Sequence, residues 1–201
     1  MNPEAARADM ERLLAAYETE PNHTLHATRL ACRLFDELRH RHGLGAEDRL
    51  LLEIAGALHD IGWSCTQPDG KAHHKVSAKM VRNFPWESLG SREKEIIAMV
   101  ARYHRKSLPS ADHADFMALP FADQERVQWL GAFLRIGDGL DRRHIQRVQE
   151  VEVRDLGNSC QILVYSPNEA EAELAGARKK ADLLERLLQC KVEFVHLVSN
   201  I

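Results

Sequence analysis

LLEIAGALHDIGW, residues 51–63, decides how the rest of the chain is read. Leu51, Leu52, Ile54, Ala55, Leu58 and Ile61 recur at steps of three and four, which predicts a helix over Leu50 to Ile61 with one face in the core. That apolar run finishes on an imidazole beside a carboxylate, His59 and Asp60. A carboxylate held there by packing is unfavourable unless a cation or a dense set of hydrogen bonds compensates it. A metal ion would do so. The plainer alternative is a helix C-terminus in which His59 meets the last carbonyls and Asp60 caps the turn at Gly62.

Outward from this helix the pattern is helical as far as about Arg147. Asn2-Pro3 supplies an N-cap and an N1 proline for a helix to about Tyr17, and Asn22 is placed to cap a second that stops near Gly43. A loop over Trp63 to Gly70 precedes a helix from about Ala72. Ser91 is placed to cap REKEIIAMVARYH (92–104), and VQWLGAFLRIGDGLDR (127–142) is the most apolar helix. Between them, Leu108 to Asp123 is a proline-containing candidate lid or specificity loop. Beyond Arg147 the period changes. VQEVEVRD, the turn Gly157-Asn158 and CQILVY read as a β-hairpin. Ser166-Pro167-Asn168-Glu169 opens one long helix, EAEAELAGARKKADLLERLLQ, and KVEFVHLV closes as a strand. The expected fold is mainly α, a helical domain over 1–147 and a small C-terminal α+β subdomain (hairpin, helix, strand) over 148–201.

A chain of 201 residues supports one substantial core, and a formal net charge of −3 argues against a general nucleic-acid coat. No apolar run approaches a membrane span, and MNPEAARADMERLL carries neither the basic nor the apolar region of a secretion signal. Cys32, Cys65, Cys160 and Cys190 are far apart and read as reduced thiols of a cytoplasmic protein.

Eleven histidines have to be sorted by position. His40, His42, His113 and His196 read as surface residues. His23, His73, His74 and His104, with Asp138 and Asp141, lie near helix ends, where antiparallel helices can bring them together with His59 and Asp60. That nitrogen and oxygen mixture suits one or two divalent ions, Mn, Fe, Co, Ni or Zn, with Mg as a harder candidate. Two ions would clamp a phosphoryl group and activate water, which points to hydrolysis of a phosphate ester or anhydride. Lys75, Arg105, Lys106 and Arg142 flank these positions and suit an anionic substrate. Trp63 reads as a core side chain, with a shield over the pocket as the alternative, and Arg178-Lys179-Lys180 as a solvated helix face.

His23, His59-Asp60 and Asp138 resemble the H...HD...D signature of the HD metal-dependent phosphohydrolase superfamily. AHHKVSAKMV (72–81), VARYHRKSLP (100–109) and LRIGDGLDRRH (134–144) look like the helical HD-type region of the exopolyphosphatase/guanosine pentaphosphate phosphatase (Ppx/GppA) family. VEVRD, CQILVY and AGARKKADLLERLL are similar to the segment that follows it there. The resemblance implies an HD-type bundle in which His23, His59, Asp60 and Asp138 bind a first ion. Asp60 then bridges to a second, held by the histidines at His73 and His104. It prefers His73 to His74, because His73 stands four before Ser77-Ala78. His74 is left as a ligand or a neighbouring donor, and Asp141 as a residue that orients a ligand.

The resemblance also implies a departure, because the family's phosphatase chemistry belongs largely to actin-like domains whose Gly-rich phosphate loop does not open this sequence. The expected function is hydrolysis of a nucleotide, an alarmone or another small phosphate compound by metal-bound hydroxide, with Asp60 as the catalytic carboxylate. The alternatives are a non-catalytic module that binds polyphosphate or a guanosine nucleotide, and a domain that partners a separate phosphatase chain. The small sheet offers an edge suited to a homodimer.

Overall fold

A computed structural model describes residues 1–66 and 70–199. Part of the loop predicted over 63–70 therefore lies outside the described residues, as do the last two of the sequence. Helix α1 (Pro3–Tyr17) starts where Asn2 Oδ1 accepts from the N–H groups of Glu4 and Ala5 at 3.1 and 3.3 Å. Helix α2 (Pro21–Glu37) starts earlier than predicted. Pro21 holds its first turn, Asn22 is already helical, and the Glu20 side chain makes no capping bond. The short α3 (Arg39–His42) ends on Gly43, at φ 66.

Helix α4 (Ala46–Leu58) also begins before its predicted start, because Asp48 Oδ2 accepts from Gly45 N–H at 3.0 Å and closes the first turn. It stops at Leu58, with His59 as C-cap, and a separate 3-10 turn runs over Ile61–Cys65. Asp60 therefore occupies the break between two helical segments, where its side chain leaves the helical row. Helices α5 (His73–Asn83) and α6 (Ser91–Tyr103) follow; Gly90 holds the cap position, so Ser91 is the first helical residue and not a cap. The segment 108–123 carries a one-turn helix, α7 (Ala114–Met117), anchored by buried Phe116. Helix α8 (Phe121–Gly139) crosses the body.

Strands β1 (Glu150–Asp155) and β2 (Ser159–Ser166) form the hairpin, antiparallel with Val153 opposite Ile162, and Gly157 turns at φ 80. The helical segment after β2 is broken in two, α9 (Glu171–Arg178) and α10 (Asp182–Leu188). Ser166 does not cap it: the residue stays in the sheet opposite Val198, and its hydroxyl donates to the Asn168 carbonyl. Strand β3 (Lys191–Val198) then lies parallel to β2, giving the order β1-β2-β3. The protein is mainly α with this small sheet at its C-terminal end. One hydrophobic core runs from Leu13 in α1 through Leu52, Ile97 and Phe133 to Ile162, Leu184 and Phe194. Among the described residues no helix is long and apolar enough to cross a membrane.

Two backbones approach closely where the functional residues gather. A Cβ at Gly137 would lie 2.4 Å from the Ala27 carbonyl oxygen and 3.0 Å from the Ala31 nitrogen, so α2 and α8 can touch only through glycine. That crossing sets His23 on α2 opposite Asp138 on α8. Gly137→Ala is expected to cost about 1–3 kcal/mol by overpacking, read from urea unfolding. An unchanged midpoint would show that the two helices can separate freely.

Candidate metal centre

Three imidazoles are oriented by one local device, and a fourth by a distant carboxylate. His59 and His104 are the C-cap residues of α4 and α6, and each Nδ1 bonds the carbonyl three residues back, at Gly56 (2.6 Å) and Ala101 (2.7 Å). His73, at the start of α5, does the same with Gly70 (2.8 Å). A carbonyl only accepts, so Nδ1 is the donor in each and Nε2 is the ring nitrogen left to face a ligand. His23 reaches the same orientation through Asp141 Oδ2, 2.9 Å from Nδ1.

The four Nε2 atoms converge on Asp60, and all four rings are buried. Asp60 Oδ1 lies 3.1 Å from His73 Nε2 and 3.5 Å from His104 Nε2; Oδ2 lies 3.6 Å from His59 Nε2 and 4.0 Å from His23 Nε2. One carboxylate thus faces two imidazole pairs with different oxygens. Asp138 Oδ1 completes the His23 side at 3.5 Å, and His73 Nε2 stands 3.4 Å from His104 Nε2. Candidate ligand atoms of His23, His59 and Asp138 fall within 4.8 Å of one another, as do those of His59, Asp60 and His104.

The unsatisfied atoms test whether a metal fits. His23 Nε2, His59 Nε2 and Asp60 Oδ1 are buried with no hydrogen-bond partner among the described residues. Buried polar atoms are normally paired, and facing lone pairs repel unless a cation lies between them. The donor set therefore suits a divalent ion. The charge states of Asp60 and His104 agree, whereas an ion would have to displace a proton from His23 Nε2. Burial raises the Asp60 carboxyl, but His59, His73 and His104 overrule it and hold it well below the usual carboxylate range. Burial and the neighbouring His59 push His104 well down, leaving it neutral. Burial also lowers His23, yet Asp138 and Asp141 win and lift it to about 10.

Several surrounding residues escaped the sequence reading. Lys180 belongs to the run expected to be a solvated face. The break between α9 and α10 turns it inward instead, and its ammonium bonds Asp138 Oδ2. Against the effect of burial, Lys180 and His23 keep the Asp138 carboxyl ionised. Trp63 is not a core side chain. It is 39% exposed and stacks on His73, with centroids 4.4 Å apart, in space left by Gly70. His144 stacks on His23 at 3.7 Å and pairs with Glu20. Its backbone and that of Gln146 are left-handed (φ 56 and 49), which wraps the segment so that Gln146 N–H donates to Asp141 Oδ1 at 2.8 Å. The only available signal was the polar stretch directly after Asp141. His42, His113 and His196 are half-buried and hydrogen-bonded rather than plain surface residues; His40 is exposed.

The flanking cations are not equivalent. Arg105 Nη1 lies 3.2 Å from His73 Nε2, against the ligand cluster. Lys106 donates to the Lys71 carbonyl at 2.8 Å, and Arg142 is exposed beside Gly176, with no hydrogen bond or ion pair to the cluster among the described residues. Lys75 is exposed. His74 is buried, but its ring is turned 83° from that of His73 and it lines a separate cavity with Lys75 and Arg105.

Lys180→Met is expected to raise divalent-metal affinity about tenfold, because an ammonium that competes for Asp138 is removed. Titration calorimetry with manganese reads this directly, and a fall in affinity would instead make Lys180 a support for the ligand.

Fold and cluster together define a mainly α protein whose helix ends assemble a buried histidine and aspartate centre able to hold a divalent metal. The family model described as Ppx/GppA phosphatase, domain III, matches residues 7–183, and the chain belongs to that family. The matched span includes every residue of the cluster and Lys180. No curated protein matches the chain.

Proposed function

We propose that the chain is a metal-dependent phosphohydrolase of the HD superfamily, acting on a nucleotide, an alarmone or another small phosphate compound. His23, His59, Asp60 and Asp138 would hold one ion, and Asp60, His73 and His104 a second. The observation that carries this reading is the convergence of four Nε2 atoms, each with Nδ1 already committed, on the two oxygens of Asp60. When bound, such ions supply Lewis-acid polarisation of a phosphoryl oxygen and of water.

The protein's own groups do the remaining work. Asp141 and the carbonyls of Gly56, Gly70 and Ala101 fix the tautomers, so the site needs little reorganisation on loading. Trp63 and His144 cover the outer faces of His73 and His23 and exclude water there. Arg105, beside His73, is placed to neutralise phosphoryl charge with a fork that can bind two oxygens. Residues 1–147 would form the metal-binding unit, with 148–201 contributing Lys180 to its site.

One observation favours a second reading. Lys180 already supplies Asp138 with a cation, as expected of a module that binds phosphate compounds without turnover. Metal analysis of purified protein, with a screen of phosphate esters and anhydrides, separates the two. The hydrolase reading expects copurifying or readily added transition metal and phosphate release that depends on it. Protein that takes up no metal and releases no phosphate would leave the binding module.

A further inference from the structure

Beside His74 lies a cavity of about 80 Å³, lined by His74, Lys75, Arg102, Arg105 and Ser107, with Tyr103 and His113 at its wall. We propose that it is an oxyanion subsite that takes one phosphoryl group, apart from the metal centre. Its charge is one-sided. Lys75 and Arg105 have no carboxylate partner among the described residues, and Arg102 has only the exposed Asp115, at 3.6 Å. Three cations around so small a space repel one another unless an anion sits between them.

The wall supplies donors as well as charge. His74 is 5% exposed, and its Nδ1 is buried with no hydrogen-bond partner among the described residues. Ser107 adds a hydroxyl. Tyr103, whose hydroxyl burial keeps protonated, bonds His113 Nδ1 at 2.8 Å, which leaves Nε2 as the free nitrogen of that ring. A cavity of about 80 Å³ has room for one tetrahedral oxyanion. A cation is refused by the same charges. Arg105 links the two places, since it lines the cavity while its Nη1 stands 3.2 Å from His73 Nε2.

The subsite does not depend on the hydrolytic reading, so its test uses metal-free protein and inorganic phosphate. Titration followed by the imidazole NMR signals should shift His74 before His23 or His59. Lys75→Gln and Arg105→Gln should each weaken phosphate binding about tenfold. Lys75 is exposed with no ion-pair partner, so its variant tests the idea without risk to the fold. Asp60→Asn, which disables the metal centre, should leave phosphate affinity unchanged.

The phosphoryl group could be free phosphate or the second group of a larger ligand, and methylenediphosphonate separates these sources. If it binds manganese-loaded protein at least about tenfold more tightly than phosphate, and loses that gain in Arg105→Gln, the subsite serves a ligand that spans both places. Equal affinities assign it to free phosphate. If phosphate leaves the His74 signals unmoved, or binds with the same affinity in both cation variants, the subsite does not exist.

Discussion

Asp60→Ala is expected to strip bound transition metal from the protein and to lower metal-dependent phosphate release by about 10³-fold or more. Asp60 is the carboxylate whose two oxygens face the two imidazole pairs. Oδ1 faces His73 and His104 at 3.1 and 3.5 Å, and Oδ2 faces His59 and His23 at 3.6 and 4.0 Å, so truncation removes the one anionic group common to both imidazole pairs. His59→Ala, by contrast, deletes one donor and leaves Asp138 and His23 in contact at 3.5 Å. Its loss should be smaller, on the order of 10–100-fold in metal affinity. Elemental analysis of the two variants, together with phosphate release, reads the difference. Asp60→Ala protein with a full complement of metal would remove the basis for placing ions at this carboxylate. Activity that persists in that variant would belong to a contaminant.

The cluster was legible in sequence because its geometry is local. His59 and His104, at the ends of two apolar helices, each bond the carbonyl three residues back. The alternation of VEVRD and CQILVY and the turn at Gly157 likewise fix the hairpin by local rules, and β3 occupies its predicted span. What was illegible depends on distant contacts. The break at 179–181 carries neither glycine nor proline, so a lysine that reads as part of a solvated face turns toward Asp138. Ser166 reads as a cap until the ladder with Val198 retains it in the sheet. Trp63 reads as core because it follows an apolar run, yet the 3-10 turn rotates it out of the helical row onto His73. Local propensity and tertiary packing disagree at these positions, and two of the three border the candidate site, where such conflicts are expected.

Saturating manganese is expected to raise the melting temperature, and the rise should grow with pH. At about a thousand times the dissociation constant, binding to the folded state alone contributes about 4 kcal/mol, or about 8–16 °C in a chain of this size. The pH dependence follows from His23. In the metal-free protein burial disfavours its charge, but Asp138 and Asp141 overrule this and hold the imidazolium to about 10. Stability from that charge is complete below the ordinary value of 6.5 and is lost as pH rises through about 10. The increment from metal has the opposite sign. Asp141 keeps the proton on Nδ1, so an ion at Nε2 must displace the other proton, while the Asp60 and Asp138 carboxyls, both held low, are already ionised. Metal affinity should therefore rise by up to about tenfold per pH unit from 6.5 to about 9. The difference in melting temperature between manganese-loaded and chelator-treated protein measures it. A difference that stays flat across that range would mean His23 carries no proton that the ion displaces, and would take it out of the ligand set; in the parent protein it should widen steadily, and in His23→Gln it should be small and flat.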